Sequence, residues 1–215
     1  MPNWCWNDVM IYGEQPDRDK FLSDVKAIGG TDNGDEFEFS QPVLEHFFSL
    51  PADASKEMTT DDGTTYSVFT DTGYNTAVQT WGTKWPDSNT RITEFPDSLN
   101  WKFDSPWGPP VEGIAKLSEL YPTLYFANAW EEEQGIFAGF VLRGGSLVGE
   151  VEGYGWDGGP TYPDDDTDDK ARDDYYQERC LWENTCRDEI EADCLLMVVK
   201  HRGGMFMPTG LNADA

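Results

Sequence analysis

Between residues 98 and 130 the hydrophobic period of the chain switches from two residues to about 3.6 and back again. Leu99, Trp101 and Phe103 alternate with Asn100, Lys102 and Asp104, which predicts a strand with one buried face. Trp107-Gly-Pro-Pro110 reads as a rigid turn. Val111, Ile114, Ala115 and Leu117 then recur at helical spacing over residues 111–120, with Pro110 just ahead of the first turn, where helices accept it. Over residues 124–130, Leu124, Phe126 and Asn128 share one face of a second strand, and Tyr125, Ala127 and Ala129 share the other. A strand, a helix and a strand in such close order must pack on one another to bury their apolar faces, so the chain is restricted to sheet-plus-helix architectures.

The flanking sequence extends this order. Residues 7–12 read as a strand with Val9 and Ile11 on one face. A helix to about residue 27 follows, with Phe21, Leu22, Val25 and Ile28 at three-to-four spacing, stopped by Gly29-Gly30. Glu36-Phe37-Glu38-Phe39 alternates as a half-buried strand does and completes a β-α-β unit. Residues 41–73 are irregular and read as an insertion with one short helix. Residues 74–81 read as a further strand. Residues 136–142 and 146–153 form a hairpin around Arg143-Gly144-Gly145. Two β-α-β-like halves in one sheet predict an α+β, ferredoxin-like sandwich, with an antiparallel or mixed sheet and helices on one face.

A boundary is expected near residue 155, giving a domain over residues 1–155 and an extension over residues 156–215. The extension opens with a loop containing Pro163-Asp-Asp-Asp-Thr-Asp-Asp169, whose like charges repel. A helix is expected over about residues 170–191. A strand over residues 195–200 then turns at His201-Arg-Gly-Gly204 into residues 205–207, as a hairpin docking on the same domain. Its core is too small to stand alone.

The formal net charge is −26, from 41 acidic and 15 basic residues. Binding to nucleic acid or to an anionic membrane surface needs Lys and Arg, so neither is expected. Two explanations of the acidity stay open. One is solvation, as on surfaces adapted to high salt, which would also suit a structural role. The other is mimicry of nucleic acid, since 26 charges correspond to about 45 Å of duplex, roughly the width of a globule of this length. Residues 157–193 hold 14 acidic and four basic residues, a net of −10.

No signal-peptide pattern and no apolar run of membrane-spanning length is visible, so a cytoplasmic location is expected. Cys5, Cys180, Cys186 and Cys194 would then stay reduced, and the six- and eight-residue spacings of the last three match no compact zinc motif. Burial on a helix suits these thiols better.

Four segments stand together in order: Met1-Pro-Asn-Trp-Cys-Trp-Asn7, Trp81-Gly-Thr-Lys-Trp85, Phe103-Asp-Ser-Pro-Trp-Gly-Pro-Pro110 and Glu133-Gln-Gly-Ile-Phe-Ala-Gly139. In them the chain resembles the YubB-type family carried by bacteriophages and conjugative plasmids. The resemblance spans roughly residues 1–153. It implies a ferredoxin-like domain and a mobile-element origin, but no catalytic residues.

The segments suggest one ligand pocket. Trp4, Trp81, Trp85 and Trp107 would stack a planar, nucleotide-like ligand, Lys84 would hold an anion, and Asn3, Asn7 or Glu133 would orient it. The competing reading is packing, with Trp, Gly and Pro kept for turns and Lys84 laid over a ring. Asp164, Asp165, Asp166, Asp168, Asp169, Asp173 and Asp174 form a candidate acidic interaction surface. The chain has two His, His46 and His201, which excludes a metal site built on several His and leaves Cys5 without an evident base. No calcium-loop spacing and no phosphate-binding Gly motif occurs. The sequence therefore predicts no catalytic residue, metal or cofactor. It favours a non-enzymatic accessory protein of a phage, virus or plasmid that binds a host or viral protein, with a nucleic-acid-binding protein as one such partner. A small-ligand binding or sequestering protein is the alternative, and the oligomeric state is not indicated.

Overall fold

The computed structural model describes residues 2–155, 158–163 and 169–203. Its elements, in chain order, are β1 (Trp4–Tyr12), α1 (Gln15–Lys26), β2 (Gly30–Asp32), β3 (Glu36–Phe39), α2 (Val43–Phe47), β4 (Ser55–Thr59), β5 (Thr65–Phe69), α3 (Asp71–Trp81), β6 (Ser88–Glu94), β7 (Ser98–Pro106), α4 (Val111–Leu120), β8 (Tyr125–Glu132), β9 (Ile136–Arg143), β10 (Ser146–Tyr154) and α5 (Asp169–His201). Eight strands form one sheet in the order β10-β9-β8-β1-β7-β6-β3-β2, and every pairing in it is antiparallel. β4 and β5 form a separate hairpin.

Within the large sheet, β8-β1-β7-β6 with α1 and α4 is the expected ferredoxin-like α+β unit. β1 lies at its centre, with Val9 opposite Trp101 on one side and Asn128 on the other. Its second strand is β6, however, not the segment at residues 36–39. The latter is β3, which extends the sheet beyond β6 and never touches β1. β6 escaped the sequence reading because its apolar content is a single Ile, Ile92, among polar residues.

The expected insertion holds one short helix, α2, and also the β4–β5 hairpin around Asp61-Asp62-Gly63. Residues 74–81 are helical rather than extended. Thr70 caps α3, its Oγ1 accepting from the Gly73 amide at 3.0 Å, and Gly82 closes the helix in the left-handed region at φ 88°. Gly73, Ala77 and Trp81 then fall on one buried stripe four residues apart, a periodicity that the β-propensity of Tyr, Val and Trp obscures. Asp87, fully buried, ties this region to the sheet by accepting from the amides of Val43 and Leu44 and from Thr90 Oγ1, each at 2.7 Å.

The core lies in two layers. On one face of the sheet, α1 to α4 place Phe21, Val25, Leu44, Ala77, Ile114 and Leu117 against Val9, Ile11, Leu99, Trp101 and Phe126. The ferredoxin-like unit thus carries its helices on one face, as expected. The extension adds α5 to the opposite face. Cys186, Ile190, Cys194 and Val198, four residues apart, pack on Tyr125, Ala127, Ala129 and Val141. Residues 195–200 are therefore not a strand but the last turns of this helix. The apolar run keeps the stripe that began at Cys186, and the exposed apolar patch of β8 and β9 rewards its continuation. The partner segment expected at residues 205–207 lies outside the described residues.

Candidate functional site

α5 covers β8, β9 and β10 but leaves the same face of β1, β7, β6 and β3 open. The pleat decides what stands there. Trp6, Asp8 and Met10 of β1 point to this face, opposite Asp104, Lys102 and Asn100 of β7. Of these, Trp6, Asp8, Lys102 and Asp104 floor a cleft of about 870 Å³, bounded by Arg187 and Ile190 of α5 and by the turn from β3 into α2. A second hollow of about 620 Å³ adjoins it and shares Asp8, Arg91 and Lys102. It adds Met10, Asn100 and Glu191. Trp6 is 45% exposed, a ring presented to solvent at the mouth of a concave surface.

The charges here are mixed, with acid in excess. Lys102 Nζ lies 2.7 Å from Asp8 Oδ2, Arg91 Nε lies 3.2 Å from Glu36 Oε1, and Arg187 pairs with Glu131. Each base is thus matched by a carboxylate. Glu38, Asp104 and Glu191 have no Lys or Arg ion-pair partner among the described residues. Asp104 accepts instead from Asn89 Nδ2 at 2.6 Å, a residue held at φ 49°. Burial, and then the Asp8 carboxylate, push the Glu191 carboxyl up to about 7, against the opposing pull of Lys102 and Arg187.

The residues named from the motifs gather elsewhere, at the end of the sheet where β1 begins and β7 ends. Trp85 and Trp107 stack with ring centroids 5.9 Å apart and planes 17° from parallel, and Lys84 Nζ lies 4.5 Å from the Trp85 centroid. The Asn3 carbonyl accepts from the Trp107 amide at 2.8 Å, and the Trp4 carbonyl accepts from the Glu133 amide at 3.0 Å. The four segments therefore do converge, through backbone hydrogen bonds and one ring stack. Trp81 does not share this exposed surface: it is a core side chain whose Nε1 donates to the Phe48 carbonyl at 3.0 Å. Asn7 is buried in an amide network, donating to Ser105 Oγ at 2.8 Å and accepting from Asn128 Nδ2 at 3.1 Å. Trp85 and Trp107 lie on each other, so they offer an outer aromatic face rather than a slot between rings. Trp107 adopts φ 63°, uncommon for a bulky side chain, with 54% of it exposed.

Of the acidic candidates, Asp164, Asp165, Asp166 and Asp168 lie outside the described residues. Asp169, Asp173 and Asp174 occupy the first turns of α5, where the helix dipole favours acids, and Asp169 pairs with Arg172 while Asp174 pairs with Lys170. Among the described residues no group of three or more His, Cys, Asp or Glu is placed to hold a metal ion. Burial pushes the Cys5 thiol up to about 12, so almost none of it is the nucleophilic thiolate near neutral pH. No helix among the described residues is long and apolar enough to cross a membrane.

Trp6, Asp8, Asn100, Lys102 and Glu191 were not singled out from the sequence. Alternation marks Asn100, Lys102 and Asp104 as one polar face, but it cannot tell a solvated face from a cleft wall. The distinction depends on where α5 lies.

A search of curated proteins gave no match. Among solved structures, the crystal structure of a protein api92 from Yersinia pseudotuberculosis aligns with 75% of this chain and 100% of its own, at 15% identity and a TM-score of 0.45. Residues 80–151, from the last turn of α3 to β10, match the family model described as the ferredoxin-like domain in Api92-like protein.

Proposed function

We propose that this chain is a non-enzymatic binding protein that receives a basic segment of a partner macromolecule in the cleft between α5 and the open half of the sheet. The observation that carries the reading is the cleft itself: a concave surface with an exposed Trp6 and an excess of carboxylates, on a molecule of net charge −26. Such a surface attracts cations at long range, and an aromatic face beside carboxylates suits guanidinium and ammonium groups. A host or viral protein is the partner this charge favours, and nucleic-acid-binding proteins carry such basic segments. Acidic residues occur on α1, β3, β8, β10 and α5, on both faces of the sheet, so charge on a single duplex-like face is not what favours this partner.

The test is fluorescence anisotropy of a labelled oligo-arginine peptide titrated with the protein. Binding is expected at low salt, weakening steeply as salt rises, with Trp6→Ala lowering affinity by about fivefold or more. Absence of binding at low salt, or unchanged affinity in Trp6→Ala, overturns the reading.

A further inference from the structure

The smaller hollow beside the cleft holds an unfilled polar position. Asn100 is only 6% exposed, yet its Oδ1 has no hydrogen-bond partner, while its Nδ2 donates to Asp8 Oδ1 and faces Met10 Sδ. A buried acceptor left unpaired is costly, and native structures seldom leave one without a reason. Asp8 is already satisfied, by Asn100 at Oδ1 and by Lys102 at Oδ2. Two acceptors at this hollow lack a partner: Asn100 Oδ1, itself shielded from solvent beneath the surface, and the Glu191 carboxylate, which has no Lys or Arg ion-pair partner among the described residues.

We infer that the hollow formed by Asn100, Asp8 and Glu191 is a subsite for one guanidinium group of the basic segment, with Glu191 and Asn100 Oδ1 as its acceptors. The inference rests on the cleft reading above and adds the position at which an arginine is held. A guanidinium suits the hollow because its planar array of donors reaches two acceptors of different kinds at once, while its charge answers the acid excess. The shared lining residues Asp8, Arg91 and Lys102 connect the two hollows, so one peptide can lie against Trp6 and place an arginine beside Glu191.

The site carries its own signature. Glu191 is held near 7 by burial and by Asp8 of β1. Lys102 of β7 and Arg187 of α5 act in the opposite sense, and Asp188 of α5 adds to the rise. Glu36 of β3 and Arg91 of β6 line the same hollow as an ion pair. A guanidinium arriving beside Glu191 favours its charged form, so the protonated carboxyl gives its proton to the buffer as the peptide binds. The carboxylate and the guanidinium then form the ion pair.

Calorimetric titration of the full chain with an oligo-arginine peptide at about pH 7, in two buffers of different ionisation enthalpy, counts that proton. The wild type is expected to release a fraction of a proton, approaching one half for a carboxyl that titrates near the working pH. Glu191→Gln is expected to abolish the release and weaken binding about tenfold. Asn100→Leu, checked for folding by circular dichroism, is expected to weaken binding while leaving some release. If the peptide binds and Trp6→Ala weakens it, but Glu191→Gln keeps both affinity and release, the subsite is wrong and the cleft reading stands. If no peptide binds, both fall. If magnesium ion alone binds with loss of the same proton and excludes the peptide, the hollow is a cation site and not a guanidinium site.

Discussion

At the scale of single residues, the polar groups beside α5 show how placement sets electrostatics. Glu191 illustrates how burial becomes a measurable dependence on pH. Its folded carboxyl titrates near 7, above its ordinary value of 4.5, so the folded chain holds a proton that the unfolded chain releases. Its contribution to stability is fully present below about pH 4.5 and is lost as pH rises towards 7. The loss is about 1–2 kcal/mol once partial solvent access is discounted. Urea unfolding at pH 5 and pH 8 is expected to show Glu191→Gln losing less stability than the wild type over that interval, by about that amount. Equal pH profiles for the two proteins would refute the assignment. None of this is legible from the run Asp188-Glu-Ile-Glu191, in which every carboxylate reads alike. Only the placement of Ile190 against the sheet determines that Glu191 lies beside Asp8.

At the scale of elements, α5 is the piece that turns a ferredoxin-like sheet into a cleft. It approaches β9 closely because small residues meet there. A side chain built on Gly139 would place its Cβ 2.7 Å from both Cys194 Sγ and Ile190 Cγ2. Gly139→Val is therefore expected to destabilise the protein by about 1–3 kcal/mol, the usual cost of overpacking, and to loosen α5 specifically. Hydrogen exchange is the discriminating measurement: amides of α5 should lose protection ahead of those of β1 and β7, and uniform loss would count against selective undocking. In the sequence Gly139 closes the segment Glu133-Gln-Gly-Ile-Phe-Ala-Gly139, and its close approach to α5 is a packing reason for a glycine there. α4 was readable to the residue because Pro110 and a four-position stripe agree. α3 was not, because its β-branched and aromatic residues argue for a strand until Thr70 and Gly82 are recognised as caps. The run at residues 195–200 misled for a different reason: its unbroken apolar character with Val198 and Val199 reads as a buried strand, although Leu195, Leu196, Met197 and Lys200 are good helix formers that continue α5.

For the whole molecule, the net charge of −26 sets the expectation. Self-repulsion among exposed carboxylates opposes compaction and is screened by salt. Raising salt from low ionic strength to about 0.5 M is expected to raise the thermal midpoint, while the same change weakens the oligo-arginine complex. Stability that falls over this range would show that ion pairs such as Arg187–Glu131 outweigh repulsion. The sequence by itself determined the fold class, the existence of six of the eight strands in the large sheet, and α4, because alternation and helical spacing are local properties. Tertiary structure alone decided that β6, not β3, is the second strand of the ferredoxin-like unit, that residues 169–201 form one helix on the far face, and that Asn100 and Glu191 line one hollow. Those outcomes depend on which surfaces remain unburied after the first elements pack, and that quantity has no counterpart in a linear pattern.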